Sequence, residues 1–298
     1  IKTRSVSLCL GERELGVITA PEIKKRVFEL SIVSWKYYVH SLGSLPRNWL
    51  RTAKKMGNEL CVADSTGIQL SHHKFIVAVL LVAKRLKPRL LQQQNIGILL
   101  PTSAGGAIAN MTVFAMGKTV VNLNYTAGVK AVRCAIESAG IKGVITSRVF
   151  IKKLQARNID LSEVFDGVKL HYLEDIKKEN PTAVALRYLL YVKCLPASLL
   201  NVLFIKNVPS DTTAAIMFSS GSEGEPKGVE LTHYNLLANI KQVVSIFNIE
   251  DADTFMSILP LFHCFGLTVT ALLPLMEGAT FICHPDPTDS VKIGHMLC

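Results

Sequence analysis

No two of the seven cysteines (Cys9, Cys61, Cys134, Cys194, Cys264, Cys283 and Cys298) share the C-x-x-C spacing, and their number is odd. This argues against a disulfide framework and a zinc ribbon, and fits free thiols in a reducing compartment. Cys264, Cys283 and His284 together lack ligand spacing, so no metal site is expected. No window offers the roughly 18 uninterrupted apolar residues that a spanning helix needs. Phe75 to Ala83 ends in Lys84-Arg85-Leu86-Lys87, and Ala183 to Ile205 is interrupted by Arg187, Lys193 and Pro196. Ile1-Lys2-Thr3-Arg4 leads into mixed charged sequence and not into a signal peptide. Internal repeats, low-complexity tracts and the basic-aromatic alternation of nucleic-acid modules are all missing.

What is present is an ordinary globular composition, 49% hydrophobic and 19% charged over 298 residues, with a formal charge of +10. That length can bury a large core. The positive balance suits an anionic membrane surface, an acidic carrier protein or a polyphosphate substrate. A basic nucleic-acid-binding protein is the least favoured of the charge readings. The expected location is cytoplasmic, with peripheral contact at the cytoplasmic face of the inner membrane as an attendant expectation. Ala183 to Ile205 is the stretch that bears on it. A buried helix pair packed on its own domain is preferred there over an interfacial amphipathic segment.

Residues 1–45 read as a basic, helical lead-in (Glu22 to Tyr38), and 46–298 as the domain proper. Asn48 to Met56 is helical and stopped by Gly57. Cys61 to Asp64 and Ile68 to Leu70 form a hairpin, after which Ser71 caps a helix running towards Lys87. Strands at Ile96–Leu100, Thr119–Leu123, Val144–Thr146 and Leu170–Leu173 then alternate with helices over 103–116, 128–139 and 149–156. Gly117 and Gly140 close two of those helices. Such alternation predicts an α/β fold with a parallel or mostly parallel sheet covered on both faces.

The chemistry concentrates at Phe218-Ser219-Ser220-Gly221-Ser222-Glu223-Gly224-Glu225-Pro226-Lys227-Gly228. An apolar strand, Ala214 to Phe218, precedes it. Thr232-His233-Tyr234-Asn235 opens a helix with Leu236, Ile240, Val243, Val244 and Phe247 on one face. Strand, glycine- and hydroxyl-rich turn and helix make a phosphate cradle. Glycines let the main chain approach a ligand, serine hydroxyls and N–H groups donate, and Lys227 adds a compact charge. The spacing is not that of a P-loop NTPase, because Pro226 stands five residues after Gly221 and Gly228 follows the lysine.

Ser219 to Gly228 resembles the Ser/Thr-rich nucleotide loop of the adenylate-forming (AMP-binding) superfamily, with Glu223 where most members have threonine. The Ser-Gly-Ser-Glu-Gly form is similar to that of bacterial fused acyltransferase/acyl-carrier-protein synthetases. Ile96 to Gly128, ending Asn124-Tyr125-Thr126-Ala127-Gly128, resembles an early structural motif of the same enzymes. Pro260-Leu261-Phe262-His263-Cys264-Phe265-Gly266 resembles the segment that lines their acyl pocket.

The resemblance covers roughly 47–298 and implies an α/β fold, a layered sandwich of mostly parallel sheets flanked by helices, incomplete at the C-terminus. It implies phosphate binding by Ser219, Ser220, Gly221, Ser222, Glu223, Gly224 and Lys227, and an acyl pocket at Phe262, His263 and Gly266. The cofactors would be ATP and Mg²⁺. A fatty acid would be activated as its acyl-adenylate and passed to a thiol, of acyl carrier protein or coenzyme A, with no nucleic acid involved. The superfamily's later motifs and its C-terminal lid are absent from these residues. No catalytic residue is therefore assigned, and the 298 residues alone are expected to turn over ATP poorly. A non-catalytic nucleotide- or lipid-binding remnant is the alternative.

Other patterns carry less. His284-x4-Asp289 has the spacing of an acyltransferase His-Asp pair, but Pro285, Asp286 and Pro287 make a chance match the better reading. His171 with Asp175, and an exposed His72-His73 pair, have no nameable partners. Glu174-Asp175 reads as a solvated turn.

Overall fold

The computed structural model of the chain describes residues 19–219, 226–247, 249 and 252–297. Two helices lead in, α1 (Ala20–Ser41) and α2 (Leu45–Met56), and a small hairpin follows, β1 (Leu60–Asp64) and β2 (Gln69–Ser71). Ser71 Oγ accepts from the Lys74 N–H and starts α3 (His72–Leu86). The alternating part comprises β3 (Asn95–Leu99), α4 (Ala104–Ala115), β4 (Thr119–Asn122), α5 (Val129–Ser138), β5 (Gly143–Thr146), α6 (Arg148–Gln155) and β6 (Lys169–Tyr172). Three helices come next, α7 (Leu173–Lys178), α8 (Thr182–Cys194) and α9 (Ala197–Phe204). Then come β7 (Thr213–Ser219), β8 (Lys227–Thr232), α10 (His233–Ile246) and β9 (Thr254–Ser257). A π-helical turn (Gly266–Leu272), α11 (Leu273–Glu277), β10 (Thr280–Cys283) and α12 (Ser290–Leu297) complete the described part.

The strands form two sheets, as the resemblance implies. The larger runs β6-β5-β3-β4-β7-β8 and is parallel except for the β7–β8 pair. The smaller runs β2-β1-β10-β9 and is parallel except for β1–β2. Side chains of the large sheet alternate between two cores. Ile96, Ile98, Val120, Ile145, Ala215 and Met217 face the main core. Leu99, Val121, Val144 and Ile216 face a second one under α5 and α6. Burial on both faces is why these strands read as continuous apolar runs. Helix α4 is apolar nearly all round and lies against both sheets, touching β1 as well as β3 and β4. Each of its fully buried large side chains, Phe114 for example, contributes about 1.5–3 kcal/mol of burial free energy.

Four expectations need correction. The phosphate segment is followed by a strand, β8, before its helix, so it joins an antiparallel pair and does not open onto a helix N-terminus. The apolar run Val269 to Met276, ended by Gly278, reads as one α-helix in sequence, but its first part is the π turn. His72 is fully buried, not exposed. Glu174 and Asp175 are no solvated turn: Glu174 accepts from the Ser147 hydroxyl at 2.7 Å, and Asp175 pairs bidentately with Arg148 at 2.7 Å.

The preferred reading of the 183–205 stretch is also corrected. Its helices α8 and α9 pack on α3 and α2, yet only Val192 and Leu200 are buried within them. Apolar residues ring both helices, and a helix resting on one neighbour covers only a narrow stripe.

Candidate functional site

Parallel strands carry their ligand crevices at their carboxyl ends. β7 runs parallel to β4, so Ser219 ends on the same side of the sheet as Asn122, Leu99, Thr146 and Tyr172. The antiparallel register of β7 and β8 places Ser219 opposite Lys227, and the Ser219 hydroxyl donates to the Lys227 carbonyl at 3.5 Å. Both residues are exposed. Behind them Gly228 lies opposite Phe218, where a Cβ would meet that ring and the Ile216 methyl at 3.2 Å. The hydroxyl and the cation thus stand together at the mouth of the pair, on a rigid rung. Ser220, Gly221, Ser222, Glu223 and Gly224 lie outside the described residues.

Beyond the ladder, Thr232 opens α10 with a capping box. Its hydroxyl accepts from the Asn235 N–H at 3.1 Å, and the Asn235 carboxamide oxygen accepts from the Thr232 N–H at 3.0 Å. Leu236 and Ile240 of the predicted face are buried, whereas Phe247 lies past the helix end and is exposed.

The predicted acyl segment arrives at the same side of the sheet from the other direction. The Thr102 hydroxyl, in the turn after β3, donates to the Leu259 carbonyl at 2.8 Å. Gly266 lies against the chain itself: a Cβ there would stand 2.2 Å from the Pro260 oxygen and 3.1 Å from the Leu259 oxygen. Only glycine fits, and the π turn begins at that contact. Phe262 is buried and meets Tyr125 edge-on at 5.1 Å, while Tyr125 meets Phe150 at 5.0 Å. His263 is exposed, with its ring 4.9 Å from Phe262.

Tyr125 and Phe218 both pack against the second core. The acyl segment reaches that core through the aromatic cluster of Phe262, Tyr125 and Phe150. Tyr125, read from sequence as structural only, is the residue that links Phe262 to it. Burial pushes its phenol up to about 12, against a smaller opposing influence from Arg157. A local signal exists in Asn124, whose side chain accepts from the Thr126 N–H at 3.0 Å and fixes the turn. The ring's partners, however, lie far apart in the chain.

A cavity of about 230 Å³ lies beside this cluster, lined by Leu99, Ile151, Leu154, Phe165, Leu170 and Tyr172 among others. It is smaller than most small-molecule sites. Above it the Arg148 guanidinium sits 4.0 Å from the Tyr172 ring centre.

The remaining candidates are structural in this fold. His284 Nε2 lies 3.6 Å from Asp289 Oδ2, but the imidazole is buried and Asp289 also holds Lys292 at 3.1 Å. Burial pushes His171 down to about 4, and it lies on β6 while Asp175 is engaged by Arg148. Cys264 is exposed and Cys283 buried, and the described residues contain no group of three metal-ligating side chains.

Comparison with known proteins follows the same lines. The model of the family described as AMP-binding enzyme matches residues 49–297. A 4-coumarate–CoA ligase-like protein of Arabidopsis thaliana is 23% identical over 249 residues, covering 80% of this chain and 42% of that protein. A chloroplastic long-chain-fatty-acid–[acyl-carrier-protein] ligase of the same plant is 48% identical over 58 residues, 20% of this chain and 8% of its own. In three dimensions the chain is similar to O-succinylbenzoate coenzyme A synthetase of Bacillus subtilis, in complex with ATP and magnesium ion. The TM-score is 0.66 at 20% identity, covering 84% of this chain and 60% of that one. The likeness shows the α/β sandwich. The chain spans less than two thirds of the length of each of these proteins.

Proposed function

The chain belongs to the AMP-binding enzyme family, and on that premise we propose that it is the nucleotide-loop portion of an ATP-dependent ligase that activates a fatty acid. The carboxylate would attack the α-phosphate of ATP, giving the acyl-adenylate and pyrophosphate. A thiol of acyl carrier protein or coenzyme A would then take the acyl group and release AMP. Names among the relatives support both acceptors, since a long-chain-fatty-acid–CoA ligase of Bacillus subtilis also matches, 32% identical over 108 residues.

One observation carries the reading: the rung that fixes Ser219 opposite Lys227 at the carboxyl end of the large sheet. A hydroxyl and a lysine on exposed residues facing each other across the strand pair suit a phosphate chain, to which both can donate. Their work would be to hold the β- and γ-phosphates and to stabilise charge on the departing pyrophosphate. Mg²⁺, when bound with the nucleotide, would neutralise charge on the same oxygens, taking much of its coordination from phosphate and water. Phe262 and His263 would face the carboxyl end of the acyl chain, with Tyr125 setting the position of Phe262.

The test is equilibrium binding of Mg·ATP to the 298-residue chain and to Lys227→Ala. Loss of a charged hydrogen bond is worth about 1.5–3 kcal/mol, so affinity is expected to fall at least tenfold. Unchanged affinity would overturn the assignment.

A further inference from the structure

Between Glu179 and Asp211 the sequence holds no acidic residue, while Arg187, Lys193 and Lys206 in that interval are all exposed. Helices α8 and α9 fill most of this tract and are held to the body as a fixed platform. Val192 and Leu200 are fully buried, and the Tyr188 and Phe204 rings lie 5.5 Å apart between the two helices. Cations from the helices beneath grip both carboxyl ends. Lys54 of α2 donates to the Val192 and Lys193 carbonyls, and Lys87, the C-cap of α3, donates to the Phe204 carbonyl at 3.2 Å. These are the favourable placements for positive charge at helix termini.

The outward face is aliphatic. Leu186, Leu190, Leu199, Val202 and Leu203 are exposed, Val202 by 80%. Scattered exposed leucines are ordinary, but five on two consecutive short helices form a patch that asks for an occupant. Its chemistry discriminates among occupants. Cations border it without an acidic residue of its own tract, and Lys84 adds another 5.8 Å from the Tyr188 ring centre. Glu179, at its border, is already engaged by Arg89 at 2.6 Å. Protein-binding surfaces concentrate their energy on Trp, Tyr and Arg at the centre, with Leu and Val under-represented. Here the exposed centre is leucine and valine. Helix α1 also exposes Val27, Phe28 and Tyr37, but it mixes Glu22 and Glu29 among its basic residues.

We propose that the outer face of α8 and α9 docks on an anionic lipid surface. The leucines and Val202 enter the headgroup–acyl boundary, and Arg187, Lys193 and Lys206 face lipid phosphates. This stands apart from the ligase reading and needs no nucleotide for its test.

The experiment is co-sedimentation of the 298-residue chain with extruded vesicles of phosphatidylcholine, with and without one-third phosphatidylglycerol. Binding is expected to the anionic vesicles, to weaken with salt, and to be far weaker on the neutral ones. Arg187→Gln with Lys193→Gln should lower anionic binding about thirtyfold, at roughly fivefold per basic residue. Leu190→Glu with Val202→Glu should abolish it. All four positions are exposed, and unchanged far-UV circular dichroism would establish that each pair folds. Equal binding to both vesicle types, no binding, or variants that bind like the parent chain would each overturn the proposal. So would self-association in sedimentation velocity that the same variants abolish, which would make a second copy the occupant.

Discussion

Replacing Gly266 by alanine adds one methyl group, and the fold has no room for it. The new Cβ would lie 2.2 Å from the Pro260 oxygen, 3.0 Å from its carbonyl carbon and 3.1 Å from the Leu259 oxygen. All three are backbone atoms, so no rotamer change relieves the contact. The segment is also tethered by the Thr102–Leu259 hydrogen bond. Overpacking a well-filled interior costs typically 1–3 kcal/mol, and a backbone collision belongs at or above the top of that range. About 3 kcal/mol should lower the melting temperature by roughly 6 °C in a chain of this size. Gly294→Ala is the internal control, since a Cβ there meets nothing within 4 Å and its helix gains about 0.5–1 kcal/mol from the exchange. Urea unfolding followed by circular dichroism reads both. The expected signs are opposite. If Gly266→Ala costs less than about 1 kcal/mol, the π turn does not depend on that approach, and the glycine would have to be explained by ligand access alone.

Burial pushes His72, His171 and His233 down to about 4, whereas in the unfolded chain they titrate near 6.5. Their contribution is therefore whole above pH 6.5 and lost as pH falls towards 4, because the unfolded state takes the proton first. Stability at pH 5 should be lower than at pH 7.5 by on the order of 1–2 kcal/mol per histidine, and a flat urea midpoint would contradict this. Lys241 and Glu277 join α10 to α11 at 2.5 Å and are only 15% and 10% exposed. Lys241→Met alone should cost about 3 kcal/mol, and adding Glu277→Leu should recover most of it in thermal melts. Burial pushes the Cys61 and Cys283 thiols up, so both should resist an aromatic disulfide reagent in the native state, while the exposed Cys194 and Cys264 react. Mass spectrometry of the labelled chain separates the two groups.

Much of the fold is legible because local signals agree with it. The alternating elements from Ile96 to Tyr172 fall within a residue or two of their expected bounds, and Ser71, Gly57 and Gly117 act where capping rules put them. What escapes is decided by contacts distant in sequence. β8 is hidden because Lys227, Gly228 and Glu230 look like loop residues, and its strand character comes from pairing with β7. The π turn shares its apolar pattern with an α-helix. His72 resembles a surface residue until α3 is set against the core. Of the candidate site, the hydroxyl-rich segment can be read directly, whereas the part played by Tyr125 depends on Phe150 and Phe262, which only folding brings together.

The rung between Ser219 and Lys227 has a consequence for engineering. The strand pair closes at Ser219 and Lys227, so its ladder owes nothing to the side chains of 220–226. Exchanging that segment for one of equal length from a relative should leave the melting curve where it was, and libraries can be confined to those positions.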